Sequence, residues 1–216
     1  MDAPQPATEK SSPLNLRCLW VIVPITTIGV WWDLYSKSSV FGQLGYPAGS
    51  GKIYHWLGKL STFRLFTSFN EGALWGFGQG WTSLFAILSV VAVVAIFYAL
   101  LRTPAGKSHW ITAALCLVLS GTLGNLYDRL GLYGYKNPET NEPIRAVRDF
   151  LLFTFGTYSW PIFNFADVFL VTGTGMLVAY SFWSERQAAR QLQSATQQLA
   201  TTESQQCSLP TEVRAV

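Results

Sequence analysis

Two pairs of polar residues, each with an asparagine three positions before an aspartate, are the residues of this sequence best suited to acid–base chemistry. Asn125 and Asp128 close one apolar run, and Asn164 and Asp167 lie within another. Residues three apart share a helix face, so each amide stands near its carboxylate. Asn125 lies one turn inside its run, where an amide needs a partner, and a carboxylate in an apolar segment indicates a functional site. The alternative for Asp167 is a structural salt bridge to Arg129.

Three further polar groups lie at the ends of apolar runs. Taken alone, Asp149 at the end of a long connection is an ordinary loop aspartate, but together with Asp167 it would supply a second carboxylate at the same interface. Asp33 and Lys37 share a helix face, and their alternative is an ion pair that anchors a helix end. Asn70 and Gly72 precede another run, where Gly72 allows a backbone or ligand to approach closely and Asn70 can hydrogen-bond an extended chain.

The composition indicates an integral membrane protein. Of 216 residues, 50% are hydrophobic and only 12% are charged, whereas soluble domains average about 25% charged residues. The aromatic fraction of 15% suits a membrane interface. A net charge of +3 is too small and too scattered to argue for nucleic acid.

The cysteines and histidines predict neither a disulfide framework nor a metal site. None of them forms a C-x-x-C pair or a cluster at ligand spacing, so no cofactor is expected. The residues concerned are Cys18, Cys116, Cys207, His55 and His109.

Four long apolar runs predict an all-α membrane protein with four transmembrane helices. The membrane domain is expected at 17–184, between a polar tail at 1–16 and a polar tail at 185–216, which is expected to extend the fourth helix briefly and then to be disordered. The predicted spans are 18–36, 81–101, 110–128 and 160–183.

The basic residues predict an orientation with both termini in the cytoplasm. Lys10 and Arg17 precede the first span, and Arg102 and Lys107 fill the short second loop. By the positive-inside rule these segments are cytoplasmic, and the two long loops face outward. The first long loop, 37–80, alternates polar and aromatic residues as strands do, so it predicts a small β-rich platform on the outer surface.

Five motifs in this order, together with four spans, resemble the lipoprotein signal peptidase (signal peptidase II) family over roughly residues 17–183. The motifs are Asp33-x-x-Ser36-Lys37, Asn70-x-Gly72-Ala73, Gly124-Asn125-x-x-Asp128-Arg129, Val147-x-Asp149 and Phe163-Asn164-x-Ala166-Asp167. The resemblance implies a monomeric aspartyl peptidase of the bacterial inner membrane. Its substrates are prolipoproteins, cleaved just before a cysteine that carries a diacylglyceryl group.

The resemblance also implies roles for individual residues. Asp149 and Asp167 match the catalytic pair, at the outer face of the membrane. The residues that match positions around the pair are Asn125, Asp128, Arg129, Asn164, Asp33, Lys37, Asn70 and Gly72. Two carboxylates that share one proton supply both the base and the acid that amide hydrolysis needs.

The sequence departs from the family pattern at two places. Nineteen residues separate Arg129 from Asp149, which is longer than the usual link, and Leu74 and Trp75 replace Ala and Phe of the second motif. We expect the extended loop 131–146 to be a flap that partners the platform over the site. The alternative is a solvated excursion that contacts nothing.

Three other interpretations of these residues are less consistent with the sequence than an aspartyl peptidase. A Ser36–Lys37 peptidase dyad is disfavoured, because adjacent helical residues point about 100° apart. A proton-coupled transporter would more often place its charges at the midplane within inverted repeats. A non-enzymatic scaffold would leave the asparagines unexplained.

Overall fold

The computed structural model of the protein describes residues 19–46, 48–56, 60–72 and 80–207, apart from the side chains of residue 104 and residues 199–207. Within these residues the chain forms helices and one antiparallel sheet. The elements, in chain order, are α1 (Leu19–Leu44), β1 (Tyr54–Trp56), β2 (Ser61–Asn70), α2 (Thr82–Arg102), a 3-10 helix (Pro104–Lys107), α3 (His109–Arg129), β3 (Val147–Phe155), β4 (Tyr158–Ser159) and α4 (Phe165–Cys207).

The four α-helices of the described residues are long and apolar enough to cross a membrane, which confirms the prediction of a four-helix membrane protein. Among them α2 is the most apolar, and α3 is the most buried. Ile22 of α1, Leu100 of α2 and Leu119 of α3 belong to one buried apolar cluster that joins these helices. The Ser108 hydroxyl caps the start of α3 by accepting a hydrogen bond from the Ile111 N–H.

The sheet has the strand order β1-β2-β3-β4, with every neighbouring pair antiparallel. This confirms the β-rich platform, although the sequence analysis found strands only in the first long loop. A bulge in β2 between Leu65 and Ser68 shifts its register against β3, and beyond the bulge Ser68 lies opposite Asp149. Phe41 at the end of α1 packs against Phe150 and so connects the sheet to the helices.

Two helix boundaries differ from the prediction. The first helix continues eight residues past Ser36 to Leu44, because Lys37 and Phe41 are buried, and Gly45 then ends it with a φ of 75°. The fourth helix begins at Phe165 rather than at 160. The chain before it is extended, and Phe163 exchanges backbone hydrogen bonds with Leu151 of β3.

The predicted disorder of 185–216 is wrong over the described part of that tail. The chain divides after Met176 into two compact units, and the second unit is helical from Leu177 to Cys207. Gln and Ala are good helix formers, and no Gly or Pro interrupts 185–207. Residues 208–216, like the tail at 1–16 and the motif residues Ala73, Leu74 and Trp75, lie outside the described residues.

The loop 131–146 has an anchored base and an exposed tip. Tyr135 stacks on Tyr46, with ring centroids 4.5 Å apart, and Lys136 forms a β-bridge with Pro143. Residues 137–142 between them are exposed. The loop therefore contacts the platform, and the alternative that it contacts nothing is wrong. Its closure over the site as a flap stays a prediction.

Candidate active site

The N-terminus of α4 positions Asn164 and Asp167 through reciprocal capping. The Asp167 N–H donates to Asn164 Oδ1 at 3.1 Å, and the Asn164 N–H donates to Asp167 Oδ2 at 3.1 Å. This is a capping box built from Asn and Asp at the spacing N-x-x-D. It explains why the helix begins at Phe165, and it fixes a carboxylate at a helix N-terminus, where the helix dipole favours negative charge.

Asn125 holds the second oxygen of Asp167. Its Nδ2 donates to Asp167 Oδ1 at 2.9 Å, while its Oδ1 accepts from Lys37 Nζ at 2.9 Å and from Asn164 Nδ2 at 3.2 Å. Because two donors occupy the amide oxygen, the amide nitrogen must face Asp167. Lys37 thus orients Asn125, and Asn125 orients Asp167.

Asp149 lies at the start of β3 and is almost fully buried beside this network. Asn164 Nδ2 donates to its Oδ1 at 2.6 Å, and Asn70 Nδ2 donates to its Oδ2 at 3.0 Å. Burial raises the pKa of Asp149 from its ordinary 3.8 to about 8, and the neighbouring charge of Asp167 adds to the rise. The two amide donors and Lys37 act in the opposite direction.

Gly72 orients Asn70 toward this carboxylate. The Gly72 N–H donates to Asn70 Oδ1 at 3.0 Å, so the amide nitrogen is left to face Asp149. Asn70 of β2 lies opposite Val147 of β3. Val147 and Asp149 are two residues apart and share one face of the strand, so the side chains of Asn70 and Asp149 come together as diagonal neighbours. The Asn70-x-Gly72 spacing of the sequence therefore marks a contact with the buried carboxylate of Asp149.

A fully buried cluster of Asp33, Lys37 and Asp128 supports the hydrogen-bond network around the two carboxylates. Lys37 Nζ lies 2.7 Å from Asp33 Oδ2 and 3.2 Å from Asp128 Oδ2. Asp33 Oδ1 also accepts the Ala166 N–H at 2.8 Å and so helps to cap α4. A side chain at position 124 would overlap the Asp33 carboxylate, so only glycine allows α1 and α3 to approach here. The predicted Asp33–Lys37 ion pair is formed, but in the interior rather than at an exposed helix end.

The contacts of Arg129 and Ser36 argue against two alternatives from the sequence, a salt bridge between Asp167 and Arg129 and a Ser36–Lys37 dyad. No ion pair joins Arg129 to Asp167. Instead, the guanidinium lies over the Phe85 ring at 5.5 Å, and its charge is attracted by Asp149 and Asp167. The Ser36 hydroxyl donates to the backbone oxygen of Asp33, so it is not a partner for Lys37. The structure thus brings together the ten residues predicted for the site.

Arg148 is a residue of this region that the sequence analysis did not select. It is 2% exposed, and it pairs with Asp128 through Nε at 3.1 Å and Nη2 at 2.8 Å. The available signal was an arginine at the middle position of Val147-x-Asp149, next to the apolar start of a strand. A charge at that place needs a buried partner.

The arrangement of the two carboxyl groups suits acid–base catalysis of amide hydrolysis. Asp149 carries a proton near neutral pH because of its raised pKa. Asp167 is half-buried, and its two carboxylate oxygens accept one hydrogen bond each, from Asn125 Nδ2 and from the Asn164 backbone N–H. A protonated acid beside an ionised base is the pairing that hydrolysis by an activated water requires.

Comparisons with known proteins match the chain to one family. The family model described as Signal peptidase (SPase) II matches residues 25–183. The lipoprotein signal peptidase of Rhodopirellula baltica is 38% identical over 185 residues, which cover 83% of this chain and 80% of the relative. That of Aeromonas hydrophila is 33% identical over 177 residues, with 80% and 92% covered.

Solved structures share the fold. A bacterial membrane enzyme determined by the in meso method aligns with a TM-score of 0.57 at 21% identity, covering 77% of this chain and 90% of that one. A second such enzyme aligns with a TM-score of 0.53 at 22% identity, covering 75% and 92%.

Proposed function

The chain belongs to the signal peptidase II family, an aspartic peptidase family of the bacterial inner membrane, and from this premise we propose how its own residues perform the reaction. The substrate is a prolipoprotein whose cysteine carries a diacylglyceryl group. The enzyme cleaves the bond before that cysteine and releases the signal peptide. The observation that supports this proposal best is the pair of asparagines that connect Asp149 to Asp167.

Asp167 is the general base and Asp149 is the general acid. Asp167 removes a proton from a water, which attacks the scissile carbonyl carbon, while Asp149 donates its proton to the carbonyl oxygen. The tetrahedral intermediate then collapses as the leaving nitrogen takes up the proton held by Asp167. The net reaction consumes one water, and Asp149 regains its proton when the new carboxyl group forms. No metal ion is required for these steps.

The asparagines and Arg129 hold the reacting groups in place. Asn164 donates to Asp149, and Asn125 donates to Asp167, so the two carboxylates keep a fixed separation. Arg129 places a positive charge at the edge of the pair, where it binds a lipid phosphate or a carboxylate. Rigid supports of this kind matter because a misplacement of about 1 Å can cost about 100-fold in rate.

The orientation follows from the positive-inside rule. Arg102 and Lys107 flank the short connection between α2 and α3, which places that connection in the cytoplasm. Both termini are then cytoplasmic. The sheet and the site lie at the opposite ends of the helices, at the outer face, where a diacylglyceryl group enters laterally from the bilayer. The proposed enzyme works as a monomer, because the ten site residues lie together within one chain and the proposed reaction uses no residue of a second copy.

The substrate assignment is tested with two synthetic peptides that differ only at the cysteine. The purified enzyme in detergent is mixed with a peptide carrying diacylglyceryl-cysteine or with the same peptide carrying an unmodified cysteine, and the products are identified by mass spectrometry. We expect a cut immediately before the lipidated cysteine and at least 100-fold slower cleavage of the other peptide. Equal cleavage of both would refute lipid recognition.

Orientation is tested separately with topology reporters. A reporter inserted near 137 is expected on the outer side, and one inserted near 104 is expected in the cytoplasm. The reverse result would place Asp149 and Asp167 at the wrong face.

A further inference from the structure

We propose that Arg148 is a positioning residue for the hydrolysis. In this proposal a clamp formed by Asp128, Ser38 and Tyr133 holds the Arg148 side chain and thereby fixes the place of Asp149. The proposal rests on the proposed function, because it concerns the placement of the acid in that reaction.

The clamp holds Arg148 from three sides. Asp128 of α3 accepts from Nε at 3.1 Å, from Nη2 at 2.8 Å and from the Arg148 backbone N–H at 3.0 Å. Ser38 of α1 accepts from Nη1 at 3.2 Å. The Tyr133 ring covers the guanidinium with its centroid 4.6 Å away. Four contacts of this buried side chain, together with the hydrogen bond of the backbone N–H, leave the side chain a single position.

Arg148 acts on Asp149 through the backbone and not by contact with the reacting atoms. Successive residues of a strand point to opposite faces. Asp149 therefore faces Asn164 and Asn70, while Arg148 faces Asp128 and Tyr133. The Arg148 N–H also donates a hydrogen bond to Asp128. This bond connects the start of β3 to the end of α3, one residue before Asp149.

The clamp also balances the charges of the buried cluster. Asp33 and Asp128 carry two negative charges, and Lys37 and Arg148 carry two positive ones. Without Arg148, Asp33 and Asp128 would share Lys37 alone, and one buried negative charge would be uncompensated. Lys37 would then be drawn toward Asp128 and away from Asn125, which orients Asp167.

The long loop 131–146 supplies one side of the clamp. Tyr133 donates through its hydroxyl to the Ala146 backbone oxygen at 3.0 Å, and its ring stacks near that of Phe69 at 6.1 Å. The ring is thus held between the platform and the guanidinium of Arg148. This gives the extended connection before Asp149 a role in catalysis that does not require it to move.

The test compares Arg148→Met and Arg148→Lys with the wild type, using the lipidated peptide as substrate. We expect Arg148→Met to lower kcat about 100-fold per folded molecule while KM changes less than about threefold. Arg148→Lys keeps the charge but loses the forked pairing, so its kcat should lie between that of Arg148→Met and that of the wild type. Arg145→Met, which replaces an exposed arginine in the loop that precedes β3, is the matched control and should cleave like the wild type.

A purely structural role would change only the melting temperature and the folded fraction. If Arg148→Met has a kcat per folded molecule within twofold of the wild type, the proposal is overturned. If Arg148→Met does not fold, Tyr133→Phe and Tyr133→Leu decide the question, because only the first keeps a ring over the guanidinium. We then expect kcat to be about fivefold lower for Tyr133→Leu than for Tyr133→Phe, and equal values would overturn the proposal.

The controls separate this proposal from the proposed function. If the wild type and Arg145→Met fail to cleave the lipidated peptide, the proposed function fails. If both cleave it and Arg148→Met cleaves it equally well, only the clamp fails.

Discussion

Removing the amide of Asn70 should move the alkaline limb of the pH–rate profile to higher pH. Asp149 must be protonated to act as the acid, so activity falls as pH rises through its pKa of about 8. Asn70 donates to Asp149 Oδ2 and favours the charged form, which holds this pKa down. In Asn70→Ala the charged form loses that donor, and the pKa of Asp149 rises further.

The size of the shift follows from the strength of the lost hydrogen bond. A hydrogen bond to a charged group contributes about 1.5–3 kcal/mol, and one pKa unit corresponds to about 1.4 kcal/mol. The pKa of Asp149 should therefore rise by about 1 to 2 units. The lower value applies because Asn70 is half-buried and water can replace its amide. The other charged groups that face Asp149, namely Asp167, Lys37 and Arg129, are unchanged in this variant.

The assay measures initial rates of lipopeptide cleavage in detergent from pH 5 to pH 10 at constant ionic strength. For the wild type we expect the midpoint to lie near 8 and kcat to fall about 15-fold between pH 8 and pH 9.5. Asn70→Ala should move the midpoint up by about one unit. Asn137→Ala, at the exposed tip of the long loop, is the control and should leave it in place. A midpoint that stays fixed or moves down in Asn70→Ala would refute the reasoning.

Three further predictions concern packing, the loop and stability. Gly124→Ala should lower the free energy of unfolding by about 1–3 kcal/mol in thermal melts, because its Cβ overlaps the Asp33 carboxylate. The control Gly175→Ala, with open space around it, should not be destabilised, and equal effects would contradict the packing argument. Replacing 137–142 by a two-residue Asn-Gly turn keeps the bridge at the base of the loop, so a flap that loses its tip should raise KM for the lipidated peptide by about threefold or more; unchanged kcat and KM would contradict the flap. The pKa of Asp149 is raised on folding, so its contribution to stability is present below about pH 4 and is lost as pH rises toward 8. Melting temperatures of Asp149→Asn should therefore depend less on pH over this range than those of the wild type, and parallel curves would argue against the raised pKa.

The sequence was most informative where one physical requirement dominated. Long uncharged runs are constrained by the thickness of the bilayer, so they predicted the four spans. Asn125, Asn164 and Asp167 stood out because polar groups in apolar runs need partners. The spacing N-x-x-D also contained the signal for the start of α4, since Asn is a preferred cap, but hydropathy alone extended the span back to 160.

The sequence was least informative where a contact depends on distant parts of the chain. The pairing of Arg148 with Asp128 joins residues 20 apart, and neither residue alone indicates the other. The strand β3 was missed because it is nearly continuously buried at its start and lacks the polar–apolar alternation of a half-buried strand. The length of the helix beyond 185 was missed because polar composition was read as disorder, although Ala and Gln favour helix.

The central claim is that Asp149 and Asp167 together perform the hydrolysis, and single-turnover cleavage of the lipidated peptide by Asp149→Asn and Asp167→Asn tests it most directly. Each substitution keeps the shape of the side chain but removes its ability to exchange a proton. Circular dichroism and melting temperature establish that both variants are folded. We expect each variant to cleave at least about 1,000-fold more slowly than the wild type. Cleavage within tenfold of the wild type by either folded variant would contradict the account.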